Sequence, residues 1–393
     1  MNIPNVPSDG LGNENGGYEK LREKYLEFRH PQALVELGGK AFSDKDDIMT
    51  VNDINVELTS GFEASIATFR IYNVYDHDEN TFTFEKIKKQ ALLGNSMSIS
   101  LGYFEKLEPV FTGFVAGVAF GFDPSDLPYI EVTGMDIKGV MMSGSYAAQL
   151  NAKSYGEAVR EILERTAYEN LLSQEAVSKI TVEDTPDKEA GGGGGGNETA
   201  DTIEMVSESD YEFVVKAAKK FNYEFFTDCG IVHFRKSKSN TEKLPDIGAG
   251  RGMTQFEVSY SLTGMVETVE ACSMDAGTGK VIFAKAKYDG KLSTGSKAKK
   301  LIKGSRHVHI DPSIISQGHA DARAASLLET ISYRLGSLRC ECVGLPDLKP
   351  GRFMDVTGLG EPGDNEFYLT NVTHSFTTEN GYTTKLQGCA RTV

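Results

Sequence analysis

Three groups of residues in this 393-residue chain have the types and spacing for chemistry. His307 and His309 stand two apart with His319 beyond them, and such a pair on a strand aims two imidazoles at a metal. No cysteine or carboxylate of matching spacing accompanies them, and they flank a basic loop and a helix start, so the reading without a metal is preferred. Cys340 and Cys342 also stand two apart, in an apparent strand, and point the same way, as a redox or soft-metal pair would. Five cysteines with no CxxC fit small half-buried residues in a reducing compartment better. Glu208, Asp210 and Glu212 crowd a helix start, where the macrodipole accounts for them without catalysis. A Glu/Asp glycosidase pair is undecided by spacing alone, but each acidic residue reads as part of a solvated face or turn. There is no Gly-x-Ser-x-Gly elbow. His233 and His374 fall in expected strands, in hydrogen-bonded structural roles.

Two further stretches have a functional and a plain reading. Lys291, Lys297, Lys299, Lys300, Lys303 and Arg306 form a basic segment that either binds an acidic partner or is a long solvated hairpin loop. The loop reading is preferred, because the segment lacks the interleaved aromatics on which single strands stack. Gly191 to Gly196 is a run of six glycines in a polar stretch, read as a flexible surface loop. A phosphate cradle would need a Gly-Lys-Ser/Thr ending that is missing. No catalytic, cofactor-binding or metal residue is therefore assigned, no cofactor is expected, and the partner-binding residues stay unknown.

The elements that would position any site are easier to read. A formal charge of −15 repels phosphate and so argues against nucleic-acid and anionic-membrane binding. No run reaches the roughly 18 apolar residues of a membrane span, and the first residues lack the pattern of a secretory signal, which points to folding in a cytosol. A helix is expected over Tyr18–Phe28. Strands are expected at Val35–Leu37, Ile54–Leu58, Ser65–Val74, Met97–Tyr103, Val110–Val118 and Ile130–Thr133, with one helix over Phe82–Leu93. Ser154 and Glu157 have capping-box spacing for a helix running to about Asn170. Ser209 and Glu212 repeat that spacing before an amphipathic helix, and Tyr223–Phe226 and Ile231–Phe234 follow as two strands joined at Asp228-Cys229-Gly230. The last third returns to strands, with one helix over Ala320–Arg334. The resulting class is mainly β with an α+β insert. An N-terminal arm and helix (1–30) precede a β unit (31–145). The insert (146–245) carries the Gly-rich loop (185–202), and a second β unit (246–393) carries the basic loop (286–306) and one helix.

Taken in order, several segments resemble one family. The stretch SDYEFVVKAAKKFNYEFFTDCGIVHFRK is similar to the helix-hairpin signature of baseplate hub proteins of contractile phage tails, the late control protein D family. That fold also forms the hub part of type VI secretion spike proteins. YEKLREKYLEFRHP, VFTGFVAG with IEVTGMDIKGVMM, VETVEACSMDAGTGKVIFAKA, and the segments from GLPDLKPGRFMDVTGLG to the C-terminus resemble family segments in the same order. The resemblance implies a non-enzymatic hub with two tube-like β-barrel domains flanking a helix-hairpin domain. Three copies would match a hexameric tail tube on one side and a trimeric spike on the other. The implied partners are the tube, spike, baseplate wedge and tape-measure proteins, in a phage tail or a tail-like bacteriocin assembled in the bacterial cytoplasm. Nothing after Leu386 resembles a spike barrel or β-helix, and no hydrolase segment is recognised, so the spike would be another polypeptide. Two alternatives remain. One is a tail-associated cell-wall-degrading enzyme. The other is a carbohydrate-binding β protein, against which the absence of tryptophan weighs.

Overall fold

The computed structural model describes residues 17–42, 49–122, 127–173, 175–186, 203–274, 279–290, 296–312, 314 and 316–393. The expected N-terminal arm, the hexaglycine run and Lys291 lie outside those residues. The first part holds α1 (Gly17–Lys24), β1 (Pro31–Leu37), β2 (Lys40–Ala41), β3 (Thr50–Thr59), β4 (Ile66–Tyr72), β5 (Tyr75–Asp76), β6 (Thr81–Phe82), β7 (Ser96–Tyr103), β8 (Lys106–Gly121) and β9 (Tyr129–Met135). The middle holds α2 (Lys138–Met141), β10 (Tyr146–Leu150), α3 (Tyr155–Leu163), α4 (Glu169–Ser173), β11 (Lys179–Val182), β12 (Ile203–Glu208), α5 (Asp210–Phe221), β13 (Tyr223–Asp228) and β14 (Ile231–Lys236). The remainder holds β15 (Lys243–Ala249), β16 (Gly252–Tyr260), β17 (Thr268–Met274), β18 (Val281–Lys287), α6 (Ser296–Leu301), β19 (Arg306–Ile310), α7 (Gln317–Ser332), β20 (Gly336–Val343), β21 (Phe353–Thr357), β22 (Asn365–Thr377) and β23 (Gly381–Ala390).

The mainly β class with inserted helices holds. Strands β22, β21, β15, β16, β20 and β23 close into a six-stranded ring, because β22 pairs with β23 along one edge and with β21 along the other. At 13 residues, β22 is long enough for that second edge to serve twice. Its first residues pair with β21, and Asn371 to Phe376 pair with β3 from Thr59 to Ile54. The order then continues β3-β4-β9-β8-β7-β1-β2. One apolar core runs beneath both halves and joins Val56, Phe69 and Ile99 to Leu338, Leu369 and Leu386. Where parallel strands β15 and β21 meet, a side chain at Gly248 would collide with the Thr357 carbonyl, so only glycine lets the two backbones approach.

The insert buries its own core. Phe213, Val214, Ala217 and Ala218 on α5 pack with Val159, Ile162 and Leu163 of α3 and with Phe225 and Phe234 of the hairpin. The Ser209–Glu212 capping box forms in both directions. The turn is shorter than the expected Asp228-Cys229-Gly230: Asp228 already pairs with Ile231, and Cys229 and Gly230 alone turn the chain, both at positive φ (44° and 81°). A smaller layer lies apart, where β18-β17-β19 packs one face on α7 through Ala271, Ala284, Ala320 and Ala324.

Four local expectations are corrected. No α-helix spans Phe82–Leu93. Thr81-Phe82 instead pairs with Tyr75-Asp76, and only a 3-10 turn at Phe84–Lys86 follows. The alternating Thr-Phe-Thr-Phe favours extended backbone, and the Asn95 amide ties off the carbonyls of Lys89 and Gln90. The helix begun at Ser154 stops at Leu163, since Arg165 is extended, and it has half a capping box because Glu157 bonds the Lys153 amide. The first helix stops at Lys24, and Leu26, Glu27 and Phe28 then take positive φ. The basic segment is not a hairpin loop: it carries α6 and crosses to β19, which pairs parallel to β17.

Candidate functional site

The residues singled out for chemistry do not converge. His307 and His309 sit on β19, where His309 lies 3.7 Å from Asp311 and 3.5 Å from an Arg323 nitrogen. His319 opens α7 and stacks on Phe221 at 6.2 Å. Among the described residues no three His, Cys, Asp or Glu side chains are grouped to hold a metal ion. Cys340 and Cys342 are buried in the ring, and burial pushes the Cys340 thiol up to about 12 and the Cys342 thiol well above its ordinary value. Both stay protonated, which suits packing and not thiolate chemistry. His233 stacks on Phe226 at 5.0 Å. His374, fully buried, holds the Tyr382 hydroxyl at 2.9 Å and the Thr384 hydroxyl at 3.2 Å from Nδ1.

Polar side chains instead concentrate at the joints between units. Asp210 is buried, and its two carboxylate oxygens accept from Arg165 and from the Tyr168 hydroxyl (2.6 Å). Glu224 of β13 lies opposite Arg235 of β14, and Arg235 Nε donates to it at 2.6 Å. The Tyr368 hydroxyl of β22 donates to the other Glu224 oxygen, and Arg235 Nη2 reaches the Gly351 carbonyl at 2.7 Å. One carboxylate thus ties the insert's hairpin to the ring. At the opposite joint, Lys138 is fully buried and donates to the carbonyls of Glu63 (2.6 Å) and Gly61 (3.2 Å). Asp136 accepts from the amides of Ser65 and Lys138, both at 3.0 Å. Burial drives the Lys138 ammonium pKa down, and the Asp136 charge 3.9 Å away opposes that. Reading acidic residues as solvated missed these joints. One signal was available, because a two-residue turn at Cys229-Gly230 sets Glu224 across from Arg235.

A cavity of about 300 Å³ opens where α1, β8, the hairpin turn and the loop before β21 meet, lined by Lys24, Glu108, Asp228, Asp347, Lys349 and Arg352. Its charges neutralise one another. Lys24 lies 2.8 Å from Glu108 and 3.0 Å from Asp347, and Lys349 lies 3.0 Å from Asp228. Cys229 beside it donates to the Pro109 carbonyl at 3.1 Å, and burial lifts its thiol to about 12. Every ionised group there has a partner, so the cavity works as a clamp between units. Among the described residues no helix is long and apolar enough to cross a membrane.

Residues 33–378 match the family described as Alg8 N-terminal domain. The chain belongs to that family. No curated protein matches it. The architecture is shared with solved tail proteins. A tail protein from Neisseria meningitidis MC58 is 13% identical, with a TM-score of 0.60 over 92% of this chain and 97% of that one. The 43 kDa tail protein of prophage MuSo2 from Shewanella oneidensis, also 13% identical, reaches 0.63 over 91% and 98%. An E. coli component of the type VI secretion system, 12% identical, reaches 0.50 over 86% of this chain and 73% of its own. At such identities the likeness establishes fold, and the fold of this family member is that of phage tail proteins.

Proposed function

We propose that the chain is a structural baseplate component of a contractile injection particle, the hub at which a hexameric tube meets a trimeric spike. The late control protein D resemblance read in the sequence belongs to this proposal, as do the trimer and tube nucleation. The observation that carries it is the sharing of β22, which fuses the six-stranded ring and the neighbouring sheet over one core. Two strand-rich units joined over one core suit a part that offers two tube-like faces per copy, so that three copies present six. The likeness to tail proteins over more than nine-tenths of the chain supports the same reading. The buried charged joints fit a rigid adaptor, because each holds one unit at a fixed angle to another. Mass measurement of the purified chain, alone and with the spike protein of its own particle, tests this. Trimers in either sample are expected; strictly monomeric protein in both sinks the hub reading.

A further inference from the structure

The layer of β18-β17-β19 with α6 and α7 leaves the ring after β16 and rejoins it at β20, so the chain crosses its base twice. The two crossings are tied together, the Ser261 amide donating to the Leu335 carbonyl at 2.8 Å. Gly264, just past the first crossing, has a φ of 79° and open space around it. The C-terminal tail meets the same base: Val393 and Leu262 pack against the cluster that holds Leu335, and the Tyr288 hydroxyl donates to the Arg391 carbonyl at 2.5 Å.

Away from that base the layer leans on the insert, where α7 meets the end of α5. Arg323 Nη1 donates to the Lys219 and Lys220 carbonyls, both at 3.0 Å, and these are among the last carbonyls of α5, which have no partner inside the helix. Asn222 donates to Glu329 at 2.7 Å, and the Thr330 hydroxyl donates to Asn222 at 3.3 Å. The ring stack of His319 on Phe221 adds an aromatic contact. The insert's apolar core and the two cores of the layer share no residue. The contact is also loosely filled. A cleft of about 550 Å³ runs between the two helices, lined by Tyr211, Val215, Lys216, Lys219, Asp311 and Arg323. At its wall Arg323 Nε is buried without a hydrogen-bond acceptor, with an Asp311 oxygen 3.9 Å away.

We infer that the layer is a hinged module, latched to the insert through Arg323 and Asn222 and able to swing away about its base at Ser261 and Leu335. Small polar contacts between units leave them free to move, whereas a large shared apolar core does not. The insert's joint to the ring shows the contrast, since Glu224, Arg235 and Tyr368 are all buried there. Opening the latch breaks a few hydrogen bonds, and the α5 carbonyls it releases lie at a helix end where water can replace Arg323. A partner that fits only one of the two arrangements shifts the population by its difference in affinity for them. The inference goes beyond the hub reading and does not depend on it.

The test measures the separation of the two units in the full chain. Spin labels are placed at Glu169→Cys in the insert and Lys299→Cys in the layer, both exposed, after the half-buried Cys229, Cys272 and Cys389 are replaced by serine. Electron-spin distance measurement should show one main separation and a second, minor one. Arg323→Met should raise the minor population about tenfold or more, because charge-assisted hydrogen bonds are lost. Asn222→Gly, which suits the left-handed φ of 58° at that position, should raise it as well. Slow hydrogen exchange of the β17 amides in both variants shows that the layer itself is still folded. A single separation that neither substitution changes overturns the hinge. Loss of β17 protection in Arg323→Met overturns the place of Arg323 in the latch, and Asn222→Gly then decides the hinge alone.

Discussion

His374 makes the protein sensitive to acid in a way that can be calculated. Its ring is fully buried between β23 and the core, and burial lowers its pKa from 6.5 to about 3. The unfolded chain takes up a proton near pH 6.5, whereas the folded chain does not until about pH 3. The folded state therefore loses nothing above pH 6.5 and loses stability progressively as pH falls toward 3, at about 1.4 kcal/mol per pH unit. Between pH 7.5 and 4.5 this one ring costs roughly 3 kcal/mol, a large part of a stability on the order of 5–15 kcal/mol. His233, half-buried and lowered to about 4, adds to the same trend. The perturbation is His374→Gln, which removes the titrating ring and keeps a polar group near Tyr382 and Thr384. Urea unfolding of both proteins over that pH range gives the difference in stability, and carboxylates common to both cancel. The wild type should lead at pH 7.5, and its lead should shrink by roughly 3 kcal/mol by pH 4.5. A lead that does not change with pH, or a His374 ring that titrates near 6.5 in the folded protein, refutes the reasoning.

Three further outcomes test a joint, the ring and helix α7. Arg235→Met leaves Glu224 buried without its cation and should cost about 3–5 kcal/mol in urea unfolding, whereas adding Glu224→Gln should recover much of that loss. Gly248→Ala should prevent the β15–β21 pairing and lower the melting temperature sharply. Gly318→Ala, at a helical position with open space around it, should instead be neutral or stabilising by about 0.4–1 kcal/mol.

Most strands and the helix-hairpin unit were legible because their signals are local. Alternation in β3, the Ser209–Glu212 box and the positive φ of Gly230 each depend on residues a few positions apart, although Asp228, expected in the turn, is paired in β13. The Phe82–Leu93 segment misled because Phe84, Ile87 and Leu92 sit at helical spacing, although Leu92 and Leu93 lie exposed and the phenylalanines join an aromatic cluster. The carboxylates misled for the opposite reason. Asp136, Asp210 and Glu224 look like any surface acid until Lys138, Arg165 and Arg235 are brought beside them.

The sequence by itself determined the class of the protein and the helix-hairpin order of its insert, since pattern, caps and turns act over short distances. Only the tertiary structure decided that β22 is shared between two sheets, that one core runs through both, and that β17 divides β18 from β19. Those outcomes depend on which distant edges find each other. A strand's alternation says which side chains face the core, but not which neighbour completes its hydrogen bonds.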